Sequence, residues 1–194
     1  MCVEILSTDA LIILDVQNDF CHGGAMPVRN GHLIAAKLSK LAKKFSKSKA
    51  PIIATQEWHP SDHSSFRSMN GQWPDHCIQN TLGADFHPDL LLPPETNIVR
   101  KGIDKNIDAY SGFVASNLEN LLLEKGIQKL YISGLATDTC VLNTVIDAIT
   151  LGYSTYVISD GVAAYDVEPG DGDRALHLMQ FNDAVLVHSE QFLL

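Results

Sequence analysis

Five apolar residues in a row, Ala10-Leu-Ile-Ile-Leu14, run without a polar break into Asp15. A strand with one wet face alternates apolar and polar residues. An unbroken apolar run instead suits a central strand of a parallel sheet, covered on both faces. Parallel strands need crossover helices, and the rest of the chain supplies them. Gly31 to Ser46 carries Leu33, Ile34, Leu38, Leu41 and Phe45 at helical spacing. Pro51 to Thr55 reads as a second strand, reaching Glu57-Trp58-His59, and Asn97 to Arg100 as a third, ending at Lys101. A helix over Val114 to Lys125 is stopped by Gly126. The strand Lys129–Ser133 leads into a helix through Val141, Val145, Ile146 and Ile149, which Gly152 closes. Ser154 to Ile158 is a fifth strand with Asp160-Gly161 after it, Asp171 to Phe181 a further helix, and Ala184 to Val187 a sixth strand. This alternation predicts an α/β fold with a mainly parallel six-stranded sheet in a single domain over residues 1–194. The polar stretch at about 57–94 is too long for a plain connection, and ordered loops of that length tend to carry function.

In such sheets ligands bind beyond the carboxyl ends of the strands. Asp15 ends the first strand, Glu57 and His59 the second, Lys101 the third, and Cys140 follows the fourth. Cys140 lies in Tyr131-Ile-Ser-Gly-Leu-Ala-Thr-Asp-Thr-Cys140-Val141, which reads as strand, tight turn at Gly134, and first helical turn capped by Thr137 or Asp138. There the free backbone N–H groups and the helix dipole would lower the thiol's pKa and could hold an oxyanion. The bland alternative is a packed thiol, since cysteine is among the most buried residue types. A thiol nucleophile needs a base, and a strand-end carboxylate with a raised pKa can take and return the proton. A neighbouring lysine would stabilise both anions. Asp15, Lys101 and Cys140 fit those needs jointly; singly, Asp15 could cap a turn and Lys101 could be solvated.

Glu57 and His59, two apart on an extended backbone, point the same way. Carboxylate plus imidazole suits zinc, iron or manganese, with His63 and His76 as further ligand candidates. The alternative is a loop that hydrogen-bonds itself into shape. Phe20, Trp73 and Tyr110 fall outside helical core spacing and could line a flat pocket, or simply pack.

The net charge of −9 argues against nucleic acid and anionic membranes as partners, since both need a basic patch. The one basic run, Lys37 to Lys49, alternates with apolar residues and reads as a solvated helix face. Cys2, Cys21, Cys77 and Cys140 form no C-x-x-C pair, so reduced thiols are expected. The first apolar run is too short for a signal peptide or a membrane span, which predicts a cytoplasmic protein.

Taken in order, Asp15-Val-Gln-Asn-Asp-Phe20-Cys-His-Gly-Gly24, Thr55-Gln-Glu-Trp-His-Pro60, Trp73-Pro-Asp-His-Cys-Ile-Gln-Asn80, Lys101, Ala109-Tyr-Ser-Gly-Phe113 and Gly134-Leu-Ala-Thr-Asp-Thr-Cys140 resemble the nicotinamidases of the isochorismatase-like cysteine hydrolases. The resemblance spans about Leu11 to Val187. It implies a three-layer α/β/α fold and hydrolysis of nicotinamide, often also of pyrazinamide, to the acid and ammonia. By position it makes Cys140 the nucleophile, Asp15 the general acid/base and Lys101 the stabilising amine. The amides of Ala136 and Cys140 would form the oxyanion site, with a cis peptide between Leu135 and Ala136. Phe20, Trp73 and Tyr110 match ring-lining positions. One divalent metal, zinc or else iron or manganese, would sit on Glu57, His59 and His76, with His63 a possible extra ligand. The family's usual first ligand is Asp, one methylene shorter than Glu57. The resemblance extends to a small-molecule substrate and leaves homo-oligomerisation open. Competing expectations are another isochorismatase-like small-amide hydrolase, which the loop histidines disfavour, and a non-catalytic binding module on the same fold.

Overall fold

Six strands pair in the order β3-β2-β1-β4-β5-β6, and every pairing is parallel. They are β1 (Asp9–Leu14), β2 (Ile52–Glu57), β3 (Asn97–Lys101), β4 (Lys129–Leu135), β5 (Ser154–Ala163) and β6 (Val185–Val187). The computed structural model describes residues 3–193, so Cys2 lies outside the described residues. The unbroken apolar run of β1 is at the sheet centre, with every residue buried. Its side chains alternate between two cores, as the two-residue period of a strand requires. Leu11 and Ile13 pack with α1 (Ala35–Lys47), while Ala10, Ile12 and Leu14 pack with α2 (Leu118–Glu124), α3 (Leu142–Thr150) and α4 (Asp171–Phe181). A short α5 (Glu190–Leu193) joins the α1 side through Phe192. The result is the expected three-layer α/β/α sandwich. Among the described residues no helix is long and apolar enough to cross a membrane.

The chain leaves β1 outward through β2 and β3, then returns to β4 on the other side of β1. That reversal puts a switch point between β1 and β4, where open parallel sheets form their ligand crevice. The two strands approach so closely there that a Cβ on Gly134, at φ +110°, would lie 2.1 Å from the Leu14 carbonyl oxygen.

Several boundaries differ from the sequence expectation. Gly31–Ile34 is a 3₁₀ turn rather than the first turn of α1. The helix expected from Val114 begins only at Leu118, because the Ser116 hydroxyl donates to Gly112 O and accepts the Leu118 N–H, a local arrangement that competes with helix. Strand β5 runs to Ala163 instead of Ile158: a register shift against β4 pairs Gly134 with Val162. Thr137–Val141 is a π-helical turn, and α3 starts after it. Neither Thr137 nor Asp138 caps it by side chain.

Candidate active site

Strand ends deliver the chemistry to one point. Asp15, at φ +51°, turns off the end of β1; Glu57 and Lys101 close β2 and β3; Cys140 rises from the π turn after β4. Lys101 is completely buried, and its Nζ lies 3.0 Å from Asp15 Oδ2, 2.7 Å from Glu57 Oε1 and 3.5 Å from Cys140 Sγ. It also donates to the Ala109 carbonyl at 2.9 Å. A buried ammonium needs such company.

The two buried carboxylates differ in character. Asp15 Oδ1 accepts the Thr55 hydroxyl at 2.6 Å, and Oδ2 is ion-paired with Lys101 Nζ at 3.0 Å. Burial raises the Asp15 pKa above the usual carboxylate value; Lys101 opposes this and Glu57 reinforces it. Burial also works against an ionised Glu57, but there the Lys101 ammonium, 2.7 Å from Oε1, prevails and holds the pKa well below normal. Two titratable groups pushed apart in this way can divide proton transfer from fixed charge. Asp15, Glu57 and Cys140 bring their reactive atoms within 4.8 Å of one another.

The Cys140 thiol corrects one sequence expectation. Burial pushes its pKa well above that of a free thiol; Lys101 pulls the other way, but Asp15 and Glu57 push it up further. The resting sulfur therefore keeps its proton, and the thiol donates toward Glu57 Oε1 at 3.6 Å. Desolvation and two carboxylates outweigh one ammonium.

The histidines sort by hydrogen bonding. His59 Nδ1 lies 3.1 Å from the Gly102 carbonyl and His76 Nδ1 2.7 Å from that of Pro74. A carbonyl only accepts, so these contacts put the protons on Nδ1 and leave both Nε2 lone pairs free. Those lone pairs face Glu57 Oε2 at 3.0 and 3.1 Å. Three acceptors converging without a proton between them call for a cation, and one carboxylate with two imidazoles is a divalent-metal donor set. Gly102, at φ +67°, makes room: a Cβ there would sit 2.3 Å from His59 Cε1. Phe66 backs the group, its ring 5.5 Å from that of His59 and 5.4 Å from that of His76. His63 does not join. Its Nδ1 pairs with the Ser65 hydroxyl at 2.8 Å and its Nε2 with the Ile107 carbonyl at 3.3 Å, which spends both nitrogens. The expectation of an extra ligand there is corrected.

A cleft opens above these residues. Phe20, Trp73 and Tyr110 line it together with Cys140, Ala136, Glu57, His59 and His76. Trp73 donates its indole N–H to Tyr110 Oη at 2.7 Å, and Phe20 packs on His76 with centroids 5.5 Å apart. The Leu135–Ala136 peptide is cis. Lining residues that sequence reasoning missed include Met26, Val28, Leu135 and Tyr165. Tyr165 had a signal, since it follows a strand, but the fifth strand was expected to stop five residues early. Gln17 was missed too: Oε1 accepts the Glu57 N–H, and Nε2 donates to the Glu57 and Ala84 carbonyls, each at 2.8 Å. No spacing rule marks such a backbone clamp.

Fold and site together define an α/β protein with a buried thiol, a buried carboxylate and a buried lysine gathered at the carboxyl ends of a parallel sheet. The chain belongs to the isochorismatase family, whose domain matches residues 9–191. It is 36% identical to the nicotinamidase of Escherichia coli (strain K12), with 91% of this chain and 93% of that protein aligned. The zinc complex of Pyrococcus horikoshii pyrazinamidase superposes with a TM-score of 0.89 at 40% identity, covering 93% of this chain and 99% of that one. PnC1 from L. infantum, solved in complex with nicotinate, gives 0.92 at 32% identity over 99% and 98% of the two chains.

Proposed function

We propose that this chain is a single-domain, metal-assisted cysteine amidohydrolase that converts nicotinamide to nicotinate and ammonia, and that it also accepts pyrazinamide. The observation that carries the reading is the buried cluster of Asp15, Lys101 and Cys140, whose thiol lines an aromatic cleft. The similarity to nicotinamidases and pyrazinamidases supports the substrate class.

Asp15 Oδ2 takes the thiol proton as sulfur attacks the carboxamide carbon, and the carbonyl electron pair moves onto oxygen. The Ala136 and Cys140 amides donate to that oxyanion, each contribution being about 3 kcal/mol in comparable sites. Protonated Asp15 then gives its proton to the amide nitrogen, the C–N bond breaks, and ammonia leaves a thioester on Cys140. Water attacks the thioester with Asp15 again as base. The C–S bond breaks, Asp15 returns the proton to sulfur, and the acid departs. Lys101 keeps its charge throughout, because Asp15, Cys140 and Glu57 hold its pKa well above normal against the effect of burial. Phe20, Trp73 and Tyr110 bind the flat ring. Glu57, His59 and His76 hold a divalent metal, for which we propose zinc. Such an ion supplies Lewis acidity toward a ring nitrogen or a water molecule.

The test is ammonia release from a panel containing nicotinamide, pyrazinamide, benzamide and a non-aromatic amide, with elemental analysis of the same preparation. The reading expects turnover of the two heteroaromatic amides and about one equivalent of zinc. Preference for a non-aromatic or carbamoyl substrate would instead favour another small-amide hydrolase of the family. Removing the imidazole in His59→Ala or His76→Ala is expected to lower the metal equivalents; unchanged content would contradict the ligand assignment.

A further inference from the structure

Tyr165 stands on a short segment gripped at both ends. Its own backbone N–H and that of Asp166 donate to the two oxygens of Asp138, at 2.9 and 2.8 Å. Asp138 belongs to the same π turn as Cys140, two residues before it, so this fork registers the segment directly against the nucleophile. At the other end, Asp166 Oδ1 accepts the Gly172 N–H at 2.9 Å, tying the segment to the start of α4. Held so, Tyr165 faces the cleft and meets Trp73 edge to face, with ring centroids 6.1 Å apart and planes at 82°. Trp73 is fixed from the other side by its hydrogen bond to Tyr110, which also accepts from Gln72 Nε2 at 3.2 Å. Tyr110, Trp73 and Tyr165 thus form one aromatic row along the cleft. Tyr110 is bound into that row through its hydroxyl. The contact Tyr165 makes with it is through the ring, so shape is what Tyr165 adds.

We propose that Tyr165 determines specificity by closing one side of the ring pocket, and that Asp138 is the positioning residue that keeps it there. The inference rests on the amidohydrolase reading above and deepens it. The favoured substrate is a planar six-membered heteroaromatic carboxamide with no substituent on the edge that Tyr165 covers. Shortening the side chain opens that edge. One methyl group in a shaped apolar pocket changes discrimination by about tenfold or more.

The experiment measures ammonia release from nicotinamide and from its 2-, 4-, 5- and 6-methyl derivatives, for wild type and variants. For Tyr165→Ala, at least one methyl derivative is expected to gain about tenfold in kcat/KM relative to nicotinamide. KM for nicotinamide rises while kcat stays within about threefold of wild type, as for lost binding rather than lost chemistry. Tyr165→Phe keeps the ring and keeps wild-type selectivity. Asp138→Asn places an amide donor against a backbone N–H, so it shifts selectivity and KM in the same direction as Tyr165→Ala, and adds nothing in a Tyr165→Ala background. If the alanine variant does not fold, Tyr165→Val replaces it. The specificity role is overturned if wild type is active and no methyl derivative gains in the shortened variant, or if Tyr165→Phe shifts selectivity as much. The positioning role is overturned if the Asp138 and Tyr165 effects on selectivity are additive. Absence of nicotinamide turnover by wild type overturns the amidohydrolase reading, and this inference with it.

Discussion

Lys101 is where several readings meet, because one ammonium serves two buried carboxylates and a thiol. Lys101→Met removes the charge and keeps the bulk, leaving Asp15 and Glu57 buried without their cation. Breaking a buried ion cluster in this way costs roughly 3–5 kcal/mol, so a fall in Tm of roughly 6–20 °C is expected by calorimetry, together with loss of amide hydrolysis. A Tm within about 2 °C of wild type would show that the carboxylates do not depend on it. Which residues meet was legible in the sequence, since Asp15, Glu57 and Lys101 each end an expected strand and Cys140 follows one. Their protonation was not. A helix terminus suggested a thiolate, but the carboxylates on both sides of Lys101 are contributed by other strands, and their push on Cys140 is a three-dimensional quantity. His63 failed for a similar reason: Ser65, two residues on, and Ile107, in the segment after β3, had claims on its nitrogens that spacing does not display.

At the scale of elements, hydrophobic patterning located every strand and four of the five helices, missing only the last short turn, and erred where local hydrogen bonds or sheet register decide. The Ser116 hydroxyl delayed α2, and the register shift opposite Gly134 lengthened β5 and so hid Tyr165. Asp138 is one of two cap candidates in the sequence, with Thr137, whereas its carboxylate spans to the segment after β5. Gly134 was legible as a turn signal, yet the stronger demand on it is the close approach of β1 and β4. Gly134→Ala forces a Cβ into the Leu14 carbonyl at a φ that alanine resists, so the central pair must part. The expected outcome is a loss of several kcal/mol, read as a Tm drop of more than about 5 °C, with activity lost in proportion. Wild-type stability in that variant would mean that the sheet centre yields more easily than its burial implies.

Across the whole molecule, one acid joins three distant segments. Asp160 on β5 accepts Lys37 Nζ of α1 at 2.6 Å, and the Ser189 N–H and hydroxyl ahead of α5 at 2.8 and 2.6 Å. Burial alone would raise its pKa, but hydrogen bonds from Lys37 and Ser189 prevail and lower it below the ordinary 3.8. A folded-state pKa below the unfolded one gives stability that is complete above the unfolded value and is lost as pH falls through the folded one. The Tm gap between wild type and Asp160→Asn should therefore be widest near neutrality and narrow below about pH 3.8. A constant gap would remove the charge from that account. The central claim concerns the site these layers hold together, a Cys140 thiol that Asp15 deprotonates for attack on an aromatic carboxamide. Its most direct measurement is the initial rate of ammonia release from nicotinamide by wild type and by Cys140→Ala, both metal-loaded and shown to be folded. The account predicts stoichiometric nicotinate and ammonia from wild type and no enzymatic release from the alanine variant. Equal rates from the two proteins, or none from wild type, would contradict it.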